Sequence, residues 1–484
     1  MQPKTRPFQK TIVLISAVVV FFLLCAVAQA RVVTQIMPTL IISEEYSDNY
    51  FQDSDNEQEE FITSVGLGFS VGFIERKYEV YLNYNPEYLY YKNLDDRDGL
   101  EHNASLDGAF RLTKKTNLDT QLAYTTRDDK LAGESWENSA YAALDTLLTK
   151  HTSAYISQSY TNSFNQQIRT GDYNERNVNR TAAGITNQFG ERDRMGLNFS
   201  YEFVDYNDPD ADEYTEYSPS AFITYWMTPL NGIDSNVSYE KTDFDNASND
   251  IDTYRGDIRY IRSFSRHVNG YVKYRHTYSE YSERGLGEHH IFHPSVGFDW
   301  EVTEDSGISL GIGVLFSRWD NSVNDDSTDP FLDLNAYKTF NFSRRGSLAF
   351  TGSSGYGEYN EDAASLGYSI YYQAGARLNY QLLKRLSSNL FVSYQRDEFS
   401  DNIAEGDRTD NTINIGGGLS WTALRWLYFD LTLAHTDFST DADQRGDYKE
   451  NTAFLSVRLV PAQPVRLKSE SDPTRQDLEN TLFR

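Results

Sequence analysis

The chain has 484 residues, 71 acidic against 44 basic side chains, a formal charge of -27 and a mean hydropathy of -0.60. So acidic a surface lacks the cationic groups that nucleic-acid phosphates require, and 35 Tyr with 28 Phe argue against a disordered polyelectrolyte. The single cysteine, Cys25, excludes an internal disulfide framework.

Residues 1–30 read as a secretory leader. Lys4, Arg6 and Lys10 precede an apolar run from Thr11 to Val27, and Ala28-Gln29-Ala30 supplies a small-x-small cleavage site before Arg31. Cys25 belongs to that leader and follows bulky Leu24, so it makes a poor lipoprotein site. Beyond residue 30 no run of about 18 apolar residues occurs, which leaves strands as the only way to cross a bilayer.

From Thr34 to Ser43 onward the chain repeats alternating segments. Leu197, Phe199, Tyr201 and Phe203 oppose Asn198, Ser200 and Glu202; Leu386, Ser388, Leu390, Val392 and Tyr394 oppose Ser387, Asn389, Phe391, Ser393 and Gln395; Leu427, Phe429, Leu431 and Leu433 oppose Tyr428, Asp430, Thr432 and Ala434. That is the two-residue period of a strand with one apolar face. The connections alternate too. Short, mostly basic ones fall at Glu75-Arg76, Lys114-Lys115, Lys150, Gly190-Glu191-Arg192, Pro229-Leu230-Asn231, Phe264-Ser265, Thr303-Glu304-Asp305, Arg344-Arg345, Lys384-Arg385 and Ala423-Leu424-Arg425. Between them lie longer acidic stretches, such as Tyr46 to Glu59, Asp205 to Glu213, Arg318 to Pro330 and Asp437 to Asp447. This rhythm predicts an all-β, transmembrane, antiparallel up-and-down β-barrel over residues 31–460, with about 22 strands (roughly 18 to 24) and both termini in the periplasm.

Trp226, Trp300, Trp421 and Trp426 sit beside short turns, and Trp136 and Trp319 beside long ones, which predicts two interfacial girdles. The last strand is expected at Asn451 to Val460, with Ala453, Leu455, Val457 and Leu459 toward lipid, and it should pair with the first to remove open edges. Residues 461–484, with Pro461, Pro464 and Pro473, read as a polar, flexible periplasmic tail.

If the apolar faces meet lipid, Arg255, Arg259, Lys273, Arg275, Arg377 and Arg458 line the lumen together with Glu79, Asp107, Asp119, Glu202, Asp257, Asp299 and Asp333. Such a wall either touches hydroxyl-rich or anionic solutes or braces itself by internal pairing. Arg255, Arg259, Lys273 and Arg275, on neighbouring strands, are the sharper candidate for a cationic strip. His151-Thr152-Ser153 is the one close His-x-Ser pair and too common a spacing to predict a hydrolase, so no enzyme activity is expected. His289-His290 with His293 matches no closed four-ligand pattern, the acidic runs match no EF-hand, and Gly416-Gly417-Gly418 lacks the lysine of a phosphate loop. No cofactor or metal is therefore expected.

The stretch from Pro38 to Phe51, above all Tyr46-Ser47-Asp48-Asn49-Tyr50-Phe51, resembles the opening of a family of outer-membrane β-barrel, porin-like proteins associated with exopolysaccharide and exosortase loci. The resemblance implies a channel for exopolysaccharide export or solute passage. The rival is a non-conducting interaction barrel in a surface-polymer or secretion assembly. Outer-membrane lipid and lipopolysaccharide, the barrel-assembly machinery and polysaccharide-export components are the partners it implies.

Overall fold

The computed structural model describes residues 32–129, 133–166, 173–207, 213–245, 250–282, 287–303, 305–320, 326–360, 366–400, 408–441 and 446–467. The expected leader and the tail beyond residue 467 lie outside them. The wall opens with β1 (Val33–Ser47), β2 (Glu60–Glu75), β3 (Tyr78–Tyr84), β4 (Glu87–Tyr91), β5 (Gly99–Glu101) and β6 (Asn103–Arg111). It continues through β7 (Thr116–Asp129), β8 (Gly133–Leu147), β9 (Thr152–Gln166), β10 (Tyr173–Gln188), β11 (Arg194–Tyr206), β12 (Tyr214–Thr228) and β13 (Asn231–Phe244). Next come β14 (Ile251–Ser263), β15 (Val268–Tyr281), β16 (Glu288–Thr303), β17 (Ser306–Trp319), β18 (Ser327–Ser343) and β19 (Gly346–Asn360). The ring ends with β20 (Leu366–Leu383), β21 (Leu386–Ser400), β22 (Arg408–Leu424), β23 (Leu427–Thr440), β24 (Tyr448–Leu459) and β25 (Val465–Leu467).

Three breaks divide single staves. β3 and β4 both pair with β2, and β6 and β5 pair back on them in turn. Pro86 sits at the first break, where a residue without an N–H interrupts the ladder at least cost, and its carbonyl accepts from Leu67 N–H at 3.1 Å. β24 and β25 lie end to end along β1. The 25 segments therefore form one closed antiparallel sheet of 22 staves. Closure runs from Leu40↔Leu459 to Ser47↔Thr452, with Thr34–Ile36 on Val465–Leu467.

The ten short connections fall where the basic pairs place them, for example at Arg344-Arg345 and Lys384-Arg385. One long connection, 167–172 between β9 and β10, was not anticipated and lies outside the described residues. The large apolar side chains stand on the outside: Leu197 is 61% exposed, Ile312 60%, Val296 and Leu390 57%. A water-soluble sandwich would bury such rows against a second sheet, whereas a barrel wall turns them to hydrocarbon. Among the described residues every strand belongs to the wall and the one helical turn is Asp95–Arg97.

Candidate functional site in the lumen wall

The expected lumen residues stand on the inward face. Arg255, Asp257 and Arg259 alternate along β14 with outward Tyr254, Ile258 and Tyr260, and Lys273 and Arg275 alternate along β15 with outward Val272 and Tyr274. Arg377 faces Ala349 and Phe391 across its neighbours, and Arg458 faces Tyr428. Glu79, Asp107, Asp119, Glu202, Asp299 and Asp333 take the same side, opposite inward Ala109, Gln121, Ala143, Arg180, Ser309 and Gly311 in that order.

Three of these cations are braced by ion pairs. Arg255 Nη1 reaches Glu240 Oε2 at 2.9 Å, and Arg458 Nη2 lies 3.7 Å from Asp430. Arg259 pairs with Asp299 and lays its guanidinium 3.9 Å above the Tyr271 ring. Tyr271 in turn lies flat over Gly297 and Gly311, where an added Cβ would come within 2.6 Å of its hydroxyl. Glycine at those two positions is what lets the ring lie against the wall. Lys273, between Arg259 and Ser295 across the strands, has neither a hydrogen bond nor an ion pair among the described residues. Glu240 and Tyr271 escaped the sequence reading, although their odd separations from exposed Val237 and Val272, three residues on and one residue back, put both on the inward face.

Between β18 and β19 the wall doubles. Their pairing stops at Leu334↔Ser354, yet β18 continues outward to Ser327 and β19 to Asn360. Tyr356 has the strand parity of outward Phe350, but its ring meets inward-facing Phe331 at 5.4 Å and His293 at 5.3 Å, and its hydroxyl accepts from Arg275 Nη1 at 3.3 Å. Tyr368, also of outward parity, donates to Asp329 and contacts Ser327 Oγ at 2.8 Å. The outer part of the β19–β20 hairpin therefore lies inside the wall of β15–β18, its outer face laid on their inner face. Ile291, Leu315, Phe331, Tyr368 and Ile370 are buried in that double layer.

Elsewhere the inner face is wet and polar. Asn341, Ser347, Asn379, Gln381, Ser387 and Asn389 line a groove of about 330 Å³ near the short-turn end of β18–β21. The tryptophans divide. Trp136, Trp300 and Trp421 point outward and Trp426 occupies a short turn. Trp226 and Trp319 depart from the expectation, because strand parity turns both to the inner side: Trp226 packs on Gly232 beside Arg192, and Trp319 stacks on His289 at 3.9 Å.

The histidine cluster is split by the pleat, with His289 and His293 inward and His290 outward. His151 lies in a short turn, and among the described residues no side-chain hydrogen bond joins it to Ser153. The Gly416 position is filled by the Phe391 ring, 2.5 Å from where a Cβ would stand, which accounts for the glycine run by packing alone. The acidic runs 205–213 and 325–329 lie partly outside the described residues.

The family described as "Putative beta-barrel porin 2" matches residues 358–460. No curated protein matches the chain. The siderophore receptor PirA from Pseudomonas aeruginosa is 7% identical with a TM-score of 0.56, covering 88% of this chain and 80% of that one. The ferric enterobactin receptor PfeA from the same organism, in complex with enterobactin, is 8% identical with a TM-score of 0.57, covering 88% and 81%. The alcaligin outer-membrane receptor FauA from Bordetella pertussis is 10% identical with a TM-score of 0.54, covering 89% and 76%. At such identities the likeness is one of fold: a closed barrel of 22 staves, consistent with an outer-membrane location.

Proposed function

We propose that this barrel passes hydrophilic solutes across an outer membrane, an extended hydroxyl-rich polymer being the finer reading. The observation that carries it is a closed ring whose outer face is apolar and whose inner face bears amides, hydroxyls and mutually paired charges. Six amide and hydroxyl side chains in the groove of β18–β21 offer donors and acceptors spaced along a surface, which suits sugar hydroxyls better than an apolar ligand. The opening Pro38 to Phe51 supports exopolysaccharide as cargo through the family it resembles. Export components on the periplasmic side and the barrel-assembly machinery at β24 are the partners this reading calls for. It includes no hydrolytic step.

The doubled wall favours a second reading. A hairpin lying inside the outer mouth narrows it, and a barrel closed in this way at rest would serve as an interaction scaffold. Planar-bilayer recording of the refolded chain separates the two. We expect stepwise conductance, reduced by neutral oligosaccharides added on one side; a correctly folded barrel that stays electrically silent would sink the passage reading.

A further inference from the structure

The outer ends of β15, β16 and β17 carry a cluster that passage through the lumen does not use. Glu288 and His290 alternate with inward His289 and Ile291, so they share the outer face with Val296. Glu288 Oε2 lies 3.8 Å from His290 Nε2. Asp320, the first residue after β17, adds a carboxylate, and the three donor atoms all lie within 4.8 Å of one another. Asp320 is held there because its N–H donates to the Glu288 carbonyl at 3.0 Å.

The imidazole is fixed just as firmly. Its ring is parallel to His276 at 5.5 Å and to Phe292 at 5.7 Å, and Tyr278 closes in at 4.8 Å. His290 Nδ1 lies 3.3 Å from His276 Nε2, a contact that holds one proton. When His290 Nδ1–H donates to His276, the Nε2 lone pair points toward two carboxylates. Three electron-rich donors then converge, and Arg318, paired with His290 across β16 and β17, forms no ion pair with either carboxylate among the described residues, an arrangement that a bound cation relieves.

We propose that Glu288, His290 and Asp320 bind a divalent first-row cation, with His276 as the positioning residue behind His290. One imidazole and two carboxylates suit Zn²⁺ better than a hard cation that prefers oxygen alone. Donors around tetrahedral zinc stand roughly 3.3 Å apart, so Glu288 needs to close on His290 by about half an ångström and Asp320 by up to about 1.5 Å. Because β16 and β17 are joined directly at their other ends, a cation here would clip together the feet of two separate outer loops, 282–287 and 320–326.

The test uses untagged, folded full-length protein in detergent, stripped with chelator and titrated calorimetrically with Zn²⁺. We expect one equivalent bound, loss of that binding in His290→Ala, and affinity lowered about 10–100-fold in His276→Phe, which keeps the stack and removes the nitrogen. The heat-modifiable gel shift of a closed barrel should be intact in both variants. Equal binding by wild type and His290→Ala, or no stoichiometric binding by the folded wild type, overturns the proposal. Retention in His290→Ala with Ca²⁺ binding equally well would mean carboxylates acting alone, and overturns it too.

Discussion

At the scale of single residues, the inward cations differ in what they are able to do. Arg259 is neutralised by Asp299 and fixed on Tyr271, whereas Lys273 beside it has no ion pair among the described residues. Both sides of the Arg259–Asp299 pair are about a quarter exposed, so solvent screens it. Arg259→Ala should accordingly cost about 1 kcal/mol of stability in denaturant titration. The double variant Arg259→Ala/Asp299→Ala, which removes both charges of the pair together, should leave ion selectivity nearly unchanged. Lys273→Ser removes an unbalanced positive charge from the lumen and should shift the reversal potential toward cation selectivity. If the double variant moves the reversal potential as far as Lys273→Ser does, the distinction between bracing and exposed cations is wrong. The sequence identified both residues as inward, since face follows from parity. It could not identify the partner of Arg259, because Asp299 lies two strands away on β16 and the register that brings the two together is set by turn lengths.

At the scale of elements, the β19–β20 hairpin should control the outer mouth. Tyr368 is fully buried and bonded to Asp329 and Ser327, while Tyr356 packs on Phe331 and His293. Removing a buried aromatic of this kind costs on the order of 3 kcal/mol, enough to free a hairpin held mainly by such contacts. Phe331→Ala combined with Tyr356→Ala should therefore raise single-channel conductance while the barrel remains folded. An unchanged conductance would mean that the doubled layer does not obstruct the path. Nothing in the sequence announces this overlap. Alternation reports which side of a strand is apolar, and Tyr356, Tyr368 and Ile370 look like ordinary outward residues; only the early end of β18–β19 pairing reveals what they cover. The missed connection at 167–172 has a similar cause. The outward positions of β9 and β10 there are Gln158, Tyr160, Asn177, Asn179 and Thr181, so polar residues on both faces erase the period that marks strands elsewhere. Basic pairs such as Lys384-Arg385 were legible because tight turns between apolar strands leave few other residues room to sit in water.

At the scale of the whole molecule, everything rests on closing the ring. An open edge in hydrocarbon leaves a row of backbone donors and acceptors without water, each costing several kcal/mol, so a ring lacking one stave is worse than a sum of lost contacts suggests. β24 contributes the seam Leu40↔Leu459 to Ser47↔Thr452 on one side and pairs along β23 on the other, whereas β25 adds only Thr34–Ile36 on Val465–Leu467. The two segments should therefore behave differently on truncation. A chain ending at Val460 loses β25 and should still insert into lipid vesicles and run as a compact, heat-modifiable band, with stability lowered by a few hydrogen bonds at about 1 kcal/mol each. A chain ending at Asp447 loses β24, leaving one edge of β1 and one edge of β23 unpaired while β2 and β22 still hold the other edges, and should fail to insert at all. Should the shorter chain insert and resist protease as well as the longer one, β1 must be finding another partner, and the closed ring would not be the structure that the membrane selects.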